Sequence, residues 1–170
     1  DNTPKKQNSK NIHTIIKWYN KQLDAYHIPV QVALFGIVSY RASHGIGQDL
    51  NLFAEDIDAV CPMLYPSHFK PYKKSSNNPY KTVFDAIRSI HKRIPPKVKP
   101  NIYAYIEIHN FRHPLKKNAK REYIRKQILA SYDAKANGWY AWSANNHYGS
   151  LFTLLEQQPS LIEGKDTIIS

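Results

Sequence analysis

Apolar residues return along this chain in two alternating rhythms. Ile12, Ile15, Ile16, Tyr19, Leu23 and Tyr26 recur at three- and four-residue steps, which predicts an amphipathic helix from about Ser9, with residues 1–8 polar and frayed. Pro29 closes that link, and Val30 to Val38 is rich in β-branched and aromatic residues, as a buried strand is. Gly45 and Gly47 punctuate the outgoing loop, and residues 48–55 suit a short helix. A second apolar run follows at Ile57 to Tyr65, where Pro62 forbids helix and leaves a strand. After a polar loop over 70–77, Asn78 is placed to cap a helix whose first residue is Pro79. The inner stripe of that helix is Tyr80, Val83, Phe84, Ile87 and Ile90, and Pro95-Pro96 ends it. The third strand, about Val98 to Ile108, carries Ile102, Ala104, Ile106 and Ile108 on one face and Tyr103, Tyr105 and Glu107 on the other. A helix over 120–136, stopped by Asn137-Gly138, leads to a last strand at Trp139 to Ser143, and a closing helix holds Leu151 to Leu155.

Strands that alternate with helices in this order make a parallel sheet with right-handed crossovers, an α/β fold. The reading is one domain over 9–158 and an irregular tail over 159–170, with no internal repeat or linker.

Six short blocks carry a resemblance. The segment PMLYPSHF, Pro62 to Phe69, resembles the PMxYPSHF signature of the DUF4015 family of glycoside-hydrolase-like (β/α)8 barrels. The likeness runs in register through LFG at 34–36, GIGQ at 45–48, NPYKTVFDAI at 78–87, KPNIYAY at 99–105 and GWYAWSA at 138–144. It implies a half-barrel, strands 5–8 of a TIM-barrel-like fold. It also implies carbohydrate as partner and glycosidic bond hydrolysis as the reaction once the other half is present. That half is expected in the same longer chain, in a second chain or by self-association, because an open half-barrel bares the apolar inner face of its sheet. The resemblance leans towards the cell envelope or exterior.

The family's pattern commonly has Asp where this chain has Ala33, and Gln where it has Tyr103. A carboxylate and an amide missing from strand positions suggest an altered substrate or a lost activity. The alternative is therefore a non-catalytic glycan-binding or scaffold module.

Composition narrows this further. With 170 residues, 42% of them hydrophobic, the chain can bury one core. It has no apolar run long enough to span a bilayer. It opens at Asp1 without a signal-peptide pattern, as a mature form or a fragment does. Its single cysteine, Cys61, excludes an internal disulfide and fits a reduced compartment or a bridge-free envelope protein. Lys and Arg outnumber Asp and Glu by 24 to 13, for a net charge of +11, which suits polyanions. The basic clusters, Lys92 to Lys97 and Lys116 to Lys126, fall on outer helices, and the usual reader motifs are missing, so specific nucleic-acid binding is not expected.

In a barrel, the C-terminal strand ends and the loops after them surround the active site. Tyr65, Ser67, His68, Tyr105, Trp142 and Asn145 stand at such positions and are the candidate substrate contacts. A sugar ring offers a C–H face for Trp or Tyr to stack on and hydroxyls for Asn, Ser and His to bond. Glycoside hydrolysis ordinarily needs two carboxylates. Glu107 is the one acid near a strand's C-terminal end, and so the candidate catalytic acid unless it pairs with Arg112. Five histidines, His44, His68, His109, His113 and His147, share these loops, but without carboxylates at ligand spacing they do not make a metal site. No cofactor fingerprint is present.

Overall fold

A computed structural model of the protein describes residues 4–164. Eleven α and β elements follow in order: α1 (Pro4–Asp24), β1 (Gln31–Phe35), α2 (Leu50–Phe53), β2 (Ala59–Met63), α3 (Tyr72–Asn77), α4 (Pro79–Arg93), β3 (Asn101–Glu107), α5 (Lys117–Asp133), β4 (Gly138–Trp142), α6 (Gly149–Gln157) and α7 (Ser160–Glu163). Three short 3-10 turns, Gly36–Ser39, His44–Ile46 and Pro66–His68, follow β1 and β2.

The four strands pair in parallel in the order β1-β2-β3-β4. Each strand is added beside the last without reversal, as in a (β/α) barrel, whereas a doubly wound sheet switches direction part-way. The helices lie on one face. Leu34, Val60, Ile102 and Ala104 pack with Val83, Ala86, Ile87 and Ile90 of α4. Ile106 and Ile108 pack with Ile124, Ile128 and Leu129 of α5 and Leu151 and Leu154 of α6. The result is an α/β layer consistent with one half of a TIM-barrel-like fold.

The other face carries Phe35, Met63, Tyr105 and Tyr140 in one register row. Across it Tyr140 Oη donates to Gln31 Oε1 at 3.0 Å, joining the two edge strands. On a flat sheet those edges would stand about 14 Å apart. The bond is within reach because the sheet curls around this face.

Several boundaries differ from the sequence reading. α1 starts at Pro4, so residues 4–8 are helical, while 1–3 lie outside the described residues. Of its expected stripe only Ile16 is buried; Ile12, Ile15, Tyr19 and Tyr26 are exposed. The reason is position: α1 lies at the β1 edge and packs mainly against the short α2 and the His44–Ile46 turn, and among the described residues no long helix packs closely on it. The first strand stops at Phe35, because Gly36–Ser39 turns into a 3-10 helix. Part of the expected loop 70–77 is helical, as α3. Asn78 precedes α4, but its side chain donates back to the Lys74 carbonyl (3.0 Å) at the end of α3 and does not cap α4. The expected tail contains α7, and 165–170 lie outside the described residues.

Candidate functional site

The site assembles from the loops that leave β1, β2 and β3. After β2, Pro66 begins a single 3-10 turn, and the His68 amide closes it by donating to the Tyr65 carbonyl at 2.8 Å. The buried centre of this turn is Ser67. Its backbone N–H donates to Glu107 Oε1 and its hydroxyl to Glu107 Oε2, both at 2.7 Å. The Tyr123 hydroxyl donates to the same Oε1 at 2.5 Å. Gln127 of α5 holds the Glu107 backbone in both directions, at 3.1 and 3.0 Å.

Glu107 is therefore 0% exposed, between the Ser67 turn and α5, and does not stand open with Tyr103 and Tyr105 on the uncovered face of the sheet. Burial pushes its carboxyl above the ordinary glutamate range and outweighs the three donors, each of which favours the ionised form. The His68 ring stands 3.8 Å from Glu107 Oε2, and burial, Arg112 and His109 all bias it towards neutrality. Arg112 does not pair with Glu107. Its Nε donates to the Ser67 carbonyl at 2.9 Å, and its guanidinium carbon lies 3.9 Å from the centre of the Tyr72 ring.

Aromatic rings form a continuous array over this anchor. Phe111 stacks with His68 at 5.8 Å, His68 meets Tyr65 edge-on at 5.6 Å, Tyr65 stacks on Trp142 at 4.8 Å, and Trp142 stacks with His109 at 6.1 Å. Tyr65 is buried and His68 is exposed. Beside the array a groove of about 600 Å³ runs along the ends of β1 and β2, lined by Phe35, Ile37, Tyr40, Tyr65, His68 and Tyr72 among others. Its floor needs a glycine. A Cβ on Gly36 would sit 2.5 Å from the Phe69 ring and 2.6 Å from the Met63 carbonyl oxygen.

The sequence candidates thus divide by setting. Tyr65, Ser67, His68, Glu107 and Trp142 come together. Tyr105 lies further along the sheet face, 5.0 Å from the ring of Tyr140. Asn145 is in the loop after β4, where its side-chain oxygen accepts from Ser143 at 2.9 Å. The histidines are dispersed: His44 bonds Ser9 at 2.9 Å, while His113 and His147 line separate surface hollows. Among the described residues no three His, Cys, Asp or Glu side chains are grouped to hold a metal ion. No helix among them is long and apolar enough to cross a membrane.

Sequence reasoning passed over Arg112, Tyr72 and Phe69 as site residues. The available signal was weak: FRH at 111–113 is a basic and aromatic triplet in the loop after β3, and Tyr72 and Phe69 flank Lys70-Pro71.

A family model described as DUF4015, putative glycosyl hydrolase domain, matches residues 1–148. No curated protein matches the chain.

Proposed function

Because the chain belongs to the DUF4015 family, described as a putative glycosyl hydrolase domain, we propose that it supplies half of a carbohydrate-binding cleft. The observation that carries this reading is the aromatic groove at the C-terminal ends of β1 and β2, continuous with the Tyr65–Trp142 stack. An apolar trough rimmed by His68, Tyr40 and Tyr65 offers faces for sugar C–H groups and polar atoms for sugar hydroxyls. His68 and Trp142 contact the sugar, Tyr65 backs Trp142, and Tyr105 and Asn145 extend the surface.

Glu107 receives the role of anchor, because both its oxygens are occupied by Ser67 and Tyr123 and none of its surface is open. Through Ser67 it fixes the turn that presents His68. The groove lining includes no carboxylate, and hydrolysis of a glycosidic bond ordinarily uses an acid pair. The acids are therefore contributed by the barrel half that completes the sheet, and the chain by itself binds without turnover. The saturation of Glu107 also favours a second reading, a non-catalytic glycan-binding module.

Two measurements separate these. Isothermal titration of the chain against a panel of oligosaccharides tests binding, and His68→Ala and Trp142→Ala should each weaken it by tenfold or more. Reducing-sugar release by an assembly containing all eight strands tests turnover. Binding without release there selects the module; no binding of any sugar by either form ends the cleft reading.

A further inference from the structure

The groove opens at one end onto a cationic hollow of about 870 Å³ lined by Lys70, Tyr72, Lys73, Arg112 and His113, and the two share Lys70 and Tyr72. One of the hollow's lining residues, the exposed Arg112, is oriented by two contacts. Its Nε is committed to the Ser67 carbonyl, and its guanidinium carbon lies over the Tyr72 ring, 3.9 Å from the centroid. Among the described residues no carboxylate is within ion-pair distance of it. Lys70 adds a second positive charge 6.0 Å from the Tyr72 ring.

A guanidinium held in place by a hydrogen bond and a stacked ring, while its terminal nitrogens stay without a carboxylate, is arranged to receive an anion. Little side-chain entropy remains to be lost, and the planar fork matches an oxyanion with two hydrogen bonds. The neighbouring aromatic groove suits a sugar, so the charge belongs to the same ligand.

We propose that the cleft is built for an acidic glycan, with the aromatic groove taking the sugar ring and Arg112, backed by Lys70, taking its carboxylate or sulfate group. This rests on the carbohydrate reading above and adds the substrate class to it. It also separates the local cation from the general charge of +11, which attracts any polyanion weakly and with steep salt dependence.

The test is titration calorimetry of the 170-residue chain with oligogalacturonate, the same oligomer as its methyl ester, and a sulfated galactan oligosaccharide. The acid should bind at least tenfold more tightly than the ester. The ratio of acid to sulfate affinity identifies which anion the hollow prefers, and either preference supports the proposal. Arg112→Gln should remove the advantage of the acid while leaving affinity for the ester within twofold. Arg112→Lys, which keeps the charge and loses the fork, should lose most of the advantage and guards against a folding defect. Lys92→Gln, on the exposed end of α4 away from the hollow, should change nothing. Equal affinity for acid and ester overturns the acidic class while leaving the carbohydrate cleft intact. An equal loss with Lys92→Gln assigns the effect to net charge and also overturns it. Failure to bind any of the three sugars overturns the acidic class; the cleft reading falls with it only when the wider oligosaccharide panel is also unbound by both the chain and the eight-strand assembly.

Discussion

Glu107 is a carboxylate placed where water does not reach it, and its surroundings decide what it can do. Three donors converge on its two oxygens. Glu107→Gln, with its oxygen in place of Oε1, keeps the Ser67 N–H and Tyr123 donors, but turns an N–H₂ towards the Ser67 hydroxyl, which must reverse to accept, and replaces a carboxyl acceptor by a weaker amide. We expect a loss of about 1–3 kcal/mol on urea unfolding at neutral pH. The titration has a definite sign. Burial raises the folded-state value above the ordinary 4.5, so the stability contributed by the protonated acid is complete below 4.5 and is lost as pH rises through the folded value. The stability difference between the natural chain and Glu107→Gln should therefore decline from about pH 4 upward and then level off. A difference that grows across that range would reverse the assignment and mean that the donors outweigh burial. From sequence, Glu107 was legible as the acid at a strand's end. Its partners were not, because Tyr123 stands in a regular helical stripe and looks like core until the fold brings α5 over the end of β3.

At the scale of elements, the family blocks LFG, GIGQ and PSHF join two neighbouring strands to their loops. Gly36 admits the Phe69 ring, and the Gln48 side-chain oxygen accepts from the Phe35 N–H at 2.8 Å, occupying a donor on the edge strand β1. Gly47 combines a φ of +70° with close approach of Ile12 and the Asn8 carbonyl, so a side chain there would meet both strain and α1. Gly36→Ala should cost about 1–3 kcal/mol through overpacking, read as a shift in the urea midpoint. Adding Phe69→Ala should return part of that loss, giving a coupling energy in a double-mutant cycle; strictly additive effects would refute the contact. Hydrophobic rhythm was enough to locate all four strands and the long helices. It missed α3, a six-residue helix with no apolar period to reveal it, and it misjudged α1, whose stripe has the right spacing but too few partners. Periodicity reports a capacity to be buried; burial itself depends on what lies opposite.

For the whole molecule, that unpartnered capacity has a consistent geometry. Ile15, Trp18 and Tyr19 are 50%, 57% and 52% exposed on α1, beside the β1 edge, and Phe35 is 53% exposed on β1 itself. At the opposite end of the sheet Tyr140 and Phe152 are exposed on β4 and α6. Apolar surface thus collects at both edges and on the concave face, where a closed barrel would bring the next strand, the next helix and the facing half. The helix-covered face is packed and needs nothing more. If the completing half fits against these edges, the chain alone should self-associate through them at micromolar concentration, giving a light-scattering mass above 19.7 kDa that rises with concentration. Ile15→Lys combined with Trp18→Lys removes apolar area from α1 without touching the core or the groove, so it should return the mass towards the monomer and leave sugar affinity unchanged. If the natural chain is monomeric at every concentration and binds no dye that reports apolar surface, the exposed edges are tolerated as they stand, and the completing half loses its physical argument. If the charged pair disperses the assembly but also abolishes sugar binding, the cleft is shared between copies, and the sugar-binding unit is the assembled pair of half-barrels.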